Sequence, residues 1–156
     1  MTLWILLMNN FNKIFPDWTL KIEETSNNVY QFTSSNNEGN KVEFADSDYD
    51  SGVKRIFGET FDMEIQICKK ANILLFDTFS ILLDNSLIKD KRYDSEIFGS
   101  WIIRLKDKRI ILDGKESILS IEKKKGLLSK DWVDLKSIQI RDGLEYEDIE
   151  MIINEI

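Results

Sequence analysis

Asp46, Asp48 and Asp50 stand at alternate positions in the stretch FADSDYDSGVKRIFGE, residues 44–59. A calcium-binding EF-hand loop opens with that spacing. It also needs glycine at its sixth position and a bidentate glutamate at its twelfth, because calcium must be enclosed by oxygens. Counted from Asp46, the sixth residue is Ser51 and the twelfth is Phe57; glycine follows one residue late as Gly52, and a carboxylate two residues late as Glu59. The stretch therefore reads as a solvated acidic loop, and no metal or other cofactor is expected.

Other chemistry finds little to work with. The chain has no histidine, so mechanisms that use imidazole as base or zinc ligand are absent. Cys68, the single cysteine, has no histidine to activate it and reads as a structural thiol. There is no G-x-S-x-G turn, Walker loop or dinucleotide-binding glycine pattern. Asp113 with Glu122-Lys123-Lys124 has the D…E-x-K order of metal-dependent nucleases. A hairpin arm rising about 3.3 Å per residue would hold the two carboxylates too far apart to share one ion. A pair of isolated carboxylates, as in glycosidases, is the remaining route to hydrolysis. No residue is assigned a catalytic role, and the chain is read as a non-enzyme.

Charge is more informative. Residues 38–64 hold eight acidic side chains against Lys41, Lys54 and Arg55, and residues 142–156 hold six with no basic one. Between them, residues 85–141 carry fourteen Lys and Arg against nine Asp and Glu. The net charge of −7 thus covers two negative segments and one positive one. Glu155 falls near the C-terminus of an expected helix, where the macrodipole disfavours it, and three aspartates crowd one loop. Both placements read as serving more than stability.

The elements that position these charges follow from periodicity. Trp4, Leu7, Met8, Phe11, Ile14 and Phe15 recur at helical spacing before the only proline, Pro16. They predict an amphipathic helix packed on the protein's own core rather than a targeting signal or a membrane-surface helix, since Lys13 is its one cation. Strands are expected where Trp18, Leu20 and Ile22 alternate with polar residues, then over Val29, Tyr30 and Phe32, and over Val42 and Phe44. Alternation of Phe61, Met63, Ile65 and Ile67 with Asp62, Glu64 and Gln66 predicts a half-exposed strand. The apolar run at residues 73–83 fits either a bent strand pair or a helix by periodicity, and its polar breaks at Asp77-Thr78 and Ser80 favour strand. Four further strands are expected in SWIIRLK, RIIL, SILSIEK and VDLKSIQI, with Asp113-Gly114 as a tight turn. Asp142, with Glu145 three residues on, predicts the start of a last helix bearing Ile149, Ile152, Ile153 and Ile156 as one stripe. The fold class is α+β: mainly an antiparallel β-meander or half-barrel with an N-terminal amphipathic helix and a C-terminal helix, in one domain over residues 1–156.

From about Phe98 onward, the strands and closing helix resemble a pleckstrin-homology-like half-barrel. That resemblance implies an interaction or assembly module with an anionic head-group site at KDKRI, residues 106–110. The acidic profile as a whole resembles that of the immunity proteins of bacterial toxin–immunity systems. It implies a small protein that neutralises a basic partner, a toxin or nuclease domain. A phage-encoded inhibitor of a host defence nuclease has the same physics, because an acidic face steers onto a cationic protein and repels wrong partners.

Partner-binding residues are expected to be Asp46, Asp48, Asp50, Glu145, Glu147, Asp148 and Glu150. Direct nucleic-acid binding would instead use Trp101, Trp132, Arg104, Lys106 and Lys123 to Lys125, against the repulsion of the acidic segments, so no nucleic-acid and no membrane partner is expected. A homodimer could pair the positive segment of one copy with a negative segment of another. A single cysteine cannot form an internal disulfide, which places the chain in a reducing compartment, and the localisation expected is cytoplasmic.

Overall fold

The computed structural model describes residues 3–68, 71–94, 99–126 and 128–156, leaving aside the side chains of Leu3, Trp4, Tyr93, Asp94 and Asp142. The expected contribution of Trp4 to the first helix's stripe lies outside the described side chains. The fold is α+β, with a three-stranded and a five-stranded antiparallel sheet and helices toward both ends. The chain divides into two compact units, residues 1–64 and 65–156, with the division inside a helix.

In the first unit, α1 (Leu3–Ile14) precedes β1 (Trp18–Ser26), β2 (Val29–Asn36) and β3 (Lys41–Asp46), which pair in that order. Leu7, Phe11 and Ile14 of α1 are buried, as is Phe15 just beyond it. The stripe thus faces the protein's own core. Register places Leu20 opposite Ser34 and Ile22 opposite Phe32, so residues of one parity share a face. Buried Ser34 and Thr60 hydroxyls share a 2.6 Å hydrogen bond. The Trp18 indole N–H donates to Glu64 Oε2 at 2.7 Å. These three polar groups therefore have partners, which offsets their desolvation.

The expected strand at residues 61–67 is instead the end of α2 (Tyr49–Ile67). Val53, Ile56, Phe57, Thr60, Phe61 and Ile65 are all buried. They recur every three or four residues, the helical period. Of the alternating set, only Phe61 and Ile65 are inside, whereas Ile67 is 42% exposed. Alternation over seven residues was a coincidence of a helix whose register is set further upstream.

The second unit continues with α3 (Ala71–Leu82), β4 (Asp90–Asp94), β5 (Ser100–Arg104), β6 (Lys108–Asp113), β7 (Ile118–Lys124), β8 (Trp132–Gln139), α4 (Ile140–Gly143) and α5 (Tyr146–Glu155). The strands form a meander in chain order. Residues 73–83 are helical where strand was expected. Leu74, Leu75, Thr78, Phe79 and Leu82 are buried at helical spacing, and the Thr78 hydroxyl donates to the Leu74 carbonyl at 2.7 Å. A threonine that looked like a break in a strand is satisfied one helical turn back. The helix packs against β5 and β6, with the Phe76 and Trp101 rings 4.4 Å apart. Ile103, Ile110, Leu112, Leu119 and Ile121 form the buried face of the sheet.

Asp142 does not cap the last helix. It lies within α4, its side chain outside the described set, and α5 begins at Tyr146 with Glu145 as its N-cap residue. Ile149 and Ile152 are fully buried, with Ile153 and Ile156 half-buried behind them.

Candidate functional site

The three aspartates do not occupy an open loop. Asp46 ends β3, and its Oδ1 accepts the Asp48 N–H at 2.8 Å. Asp48 Oδ1 in turn accepts the Ser51 N–H at 3.1 Å, the side-chain bond of a helix N-cap. Asp50 stands exposed in the first turn of α2, where the helix dipole favours a carboxylate. Two of the three therefore have a local task in starting α2, and their crowding has a structural explanation that the sequence reading lacked.

The C-terminal set is arranged in a similar way. The Glu145 N–H donates to Asp148 Oδ2 at 3.0 Å, fixing the start of α5. Glu145 and Glu147 are exposed, while Asp148 and Glu150 are half-buried. At the other end of α5 the Lys108 ammonium donates to the Glu155 carbonyl at 2.9 Å. That supplies the cation favoured at a helix C-terminus and offsets the placement of Glu155. Asp46, Asp48 and Asp50 belong to the first unit and Glu145, Glu147, Asp148 and Glu150 to the second.

Beside Glu150, burial pushes the Tyr146 phenol above its ordinary value of 10.0, and the carboxylate adds to the shift. The folded state then keeps this proton to higher pH than the unfolded chain does. Its stabilising contribution is complete below pH 10.0 and is lost as the pH rises beyond it. Urea unfolding at about pH 9 and about pH 11 should show a smaller alkaline loss for Tyr146→Phe than for the wild type. Equal losses would exclude Tyr146 as a source.

Asp113 and Glu122 have separate tasks. Asp113 Oδ1 accepts the N–H groups of Lys115 and Glu116 in its own turn. Glu122 takes an ion pair from Arg109 Nε across the β6–β7 register. Among the described residues, no group of three or more Cys, Asp and Glu side chains is placed to hold a metal ion.

The outer face of the five-stranded sheet brings together what the sequence scatters. Register sets Asp90 opposite Arg104, Arg92 opposite Ile102, Arg104 opposite Arg109, Arg109 opposite Glu122 and Lys124 opposite Trp132. Together with the loop before β8, these strands enclose a cleft of about 260 Å³. Five cations line it: Arg92, Arg104, Arg109, Lys124 and Lys130. Asp90 is the one carboxylate among the lining residues. The Arg109 guanidinium lies 4.4 Å from the Trp132 ring centroid, and the Lys124 ammonium 5.6 Å from it.

Of the basic and aromatic residues singled out in the sequence, Arg104, Lys124 and Trp132 line this cleft. Trp101 packs on Phe76 instead, and Lys106, Lys123 and Lys125 are not among the lining residues. Arg109 was named only within the KDKRI segment, and Arg92 and Lys130 were missed. The net positive charge of residues 85–141 was their only signal, because strand pairing, not sequence proximity, gathers them. The KDKRI segment is divided: Lys108 reaches α5, and Arg109 enters the cleft. Comparison with protein-family models, with curated proteins and with solved structures finds no match to this chain.

Proposed function

We propose that the chain is a small acidic binding protein that neutralises a cationic protein partner, as the immunity proteins of bacterial toxin systems do, with a nuclease-type toxin as that partner. The observation that carries this reading is the anchoring of exposed carboxylates on firmly started helices. Asp50 projects from the first turn of α2 behind the Asp48 cap, and Glu147 from the first turn of α5 beside Asp148. Carboxylates held on rigid backbone lose little freedom on association, so more of their Coulomb attraction reaches the encounter. Binding is favoured over hydrolysis because Glu122 is held by Arg109 and Asp113 closes its own turn.

The partner is sought in the product of the neighbouring gene, tested first for toxicity that this protein relieves. Asp50→Lys combined with Glu147→Lys leaves Asp48 and Asp148 to start their helices. The double variant should fold, yet associate with the toxic product at least about tenfold more slowly at low salt, with the difference shrinking as salt rises. A neighbour that is harmless, or association at the wild-type rate at every salt concentration, would overturn this function.

A further inference from the structure

The basic cleft on the five-stranded sheet shares no residue with the acidic set just described. We propose that it is a binding site for a compact polyphosphate anion of the nucleoside di- or triphosphate class. Arg104 and Arg109 are directly opposite across neighbouring strands, on the same face. Like charges in that relation weaken a sheet; Glu122 pairs with Arg109, and among the described residues no carboxylate pairs with Arg104. Among the described residues, Arg92, Arg104, Lys124 and Lys130 form no salt bridge, although Asp90 is opposite Arg104 in the register. The positive potential is therefore left for a ligand.

The cleft is also pre-organised for phosphate. Arg109 spends its Nε–H on Glu122 and lies over Trp132, which fixes the guanidinium plane while its terminal nitrogens carry the remaining donors. A guanidinium held in this way is suited to bidentate bonding to phosphate oxygens, more so than a mobile ammonium. Ile102, only 4% exposed, adds an apolar side chain to the lining. Trp132 adds an aromatic surface for a nucleobase.

Size and charge favour a compact ligand over a nucleic-acid strand. The cleft, about 260 Å³, is just below the usual range of ligand pockets, about 300–1,000 Å³. A strand leaving it would extend its phosphates over a unit whose residues 142–156 carry six carboxylates. A short polyphosphate places all its charge within the cation cluster.

The test is calorimetric titration of the full chain with ATP, with inorganic pyrophosphate and with a thymidine dodecanucleotide. Wild type is compared with Arg104→Ala, Arg109→Lys and, as an exposed control in the first unit, Lys54→Ala, each checked for an unchanged unfolding profile. Expected are one ATP per chain, weaker binding of pyrophosphate, and at least about a tenfold loss of ATP affinity in both cleft variants with none in the control. Equal ATP affinity in all four proteins, or no ATP binding, overturns the site. Pyrophosphate binding as tightly as ATP overturns the nucleoside assignment, and a dodecanucleotide binding more tightly than ATP overturns the compact ligand in favour of a strand.

Discussion

Gly52→Ala is expected to destabilise the protein by about 1–3 kcal/mol, although alanine is the better helix former by about 1 kcal/mol. Gly52 lies in the first turns of α2, and a Cβ there would overlap the ring tip of Phe32 on β2. Phe32 has little room to yield. It is fully buried, its ring is stacked on Phe44 at 5.3 Å between centroids, and Tyr49 lies 6.0 Å away. Extra volume in such a place forces a strained rotamer or a backbone shift. Phe32→Leu should cost stability alone but relieve the overlap, so the double variant should be more stable than the sum of the two single losses predicts. Urea unfolding of the four proteins supplies the cycle. A Gly52→Ala protein at least as stable as the wild type would show that α2 and β2 do not approach this closely.

Gly52 also bears on what the sequence could disclose. In a stretch read as a loop, a glycine one residue late for calcium had no meaning; in a helix it marks where β2 comes close. The apolar alternation identified β1 to β3 and β5 to β8; in β2, β3, β6 and β7 the buried positions do alternate, whereas β8 buries none of its residues. It failed at residues 61–67 because the window was short and α2 starts twelve residues before it. At residues 73–83 it failed because α3 is apolar on nearly every side, which removes the moment that distinguishes helix from strand. β4 was not seen at all: Asp90, Lys91 and Arg92 are exposed and polar on an edge strand, so it has no apolar alternation to read.

The candidate sites were legible to different degrees. Acidic residues cluster along the chain, so Asp46 to Asp50 and Glu145 to Glu150 could be named from composition alone. Their capping bonds could not, since these require the helix starts to be known. The basic cleft needs four strand pairings before Arg92 and Trp132 meet. Charge counting located the segment and strand pairing chose the residues.

Phe57→Ala is expected to cost about 3–5 kcal/mol, the range for removing a fully buried phenylalanine. The Phe57 ring lies 5.0 Å from that of Phe15 and 6.3 Å, edge-on, from that of Phe11. It therefore links α2 to α1 and to the residue just after it. Removing it leaves a cavity and also forfeits two aromatic contacts, each worth about 0.5–1.5 kcal/mol beyond area burial. A short helix such as α1, with 12 residues, is marginal on propensity alone and depends on that packing. Its amides should therefore lose hydrogen-exchange protection before those of β2, the central strand of its sheet. The same geometry opposes a membrane-surface role for α1, because the stripe that would enter lipid is the one that buries Leu7, Phe11 and Ile14. A Phe57→Ala protein within about 1 kcal/mol of the wild type, or one in which β2 exchanges before α1, would mean that α1 is held in place by something other than this aromatic cluster.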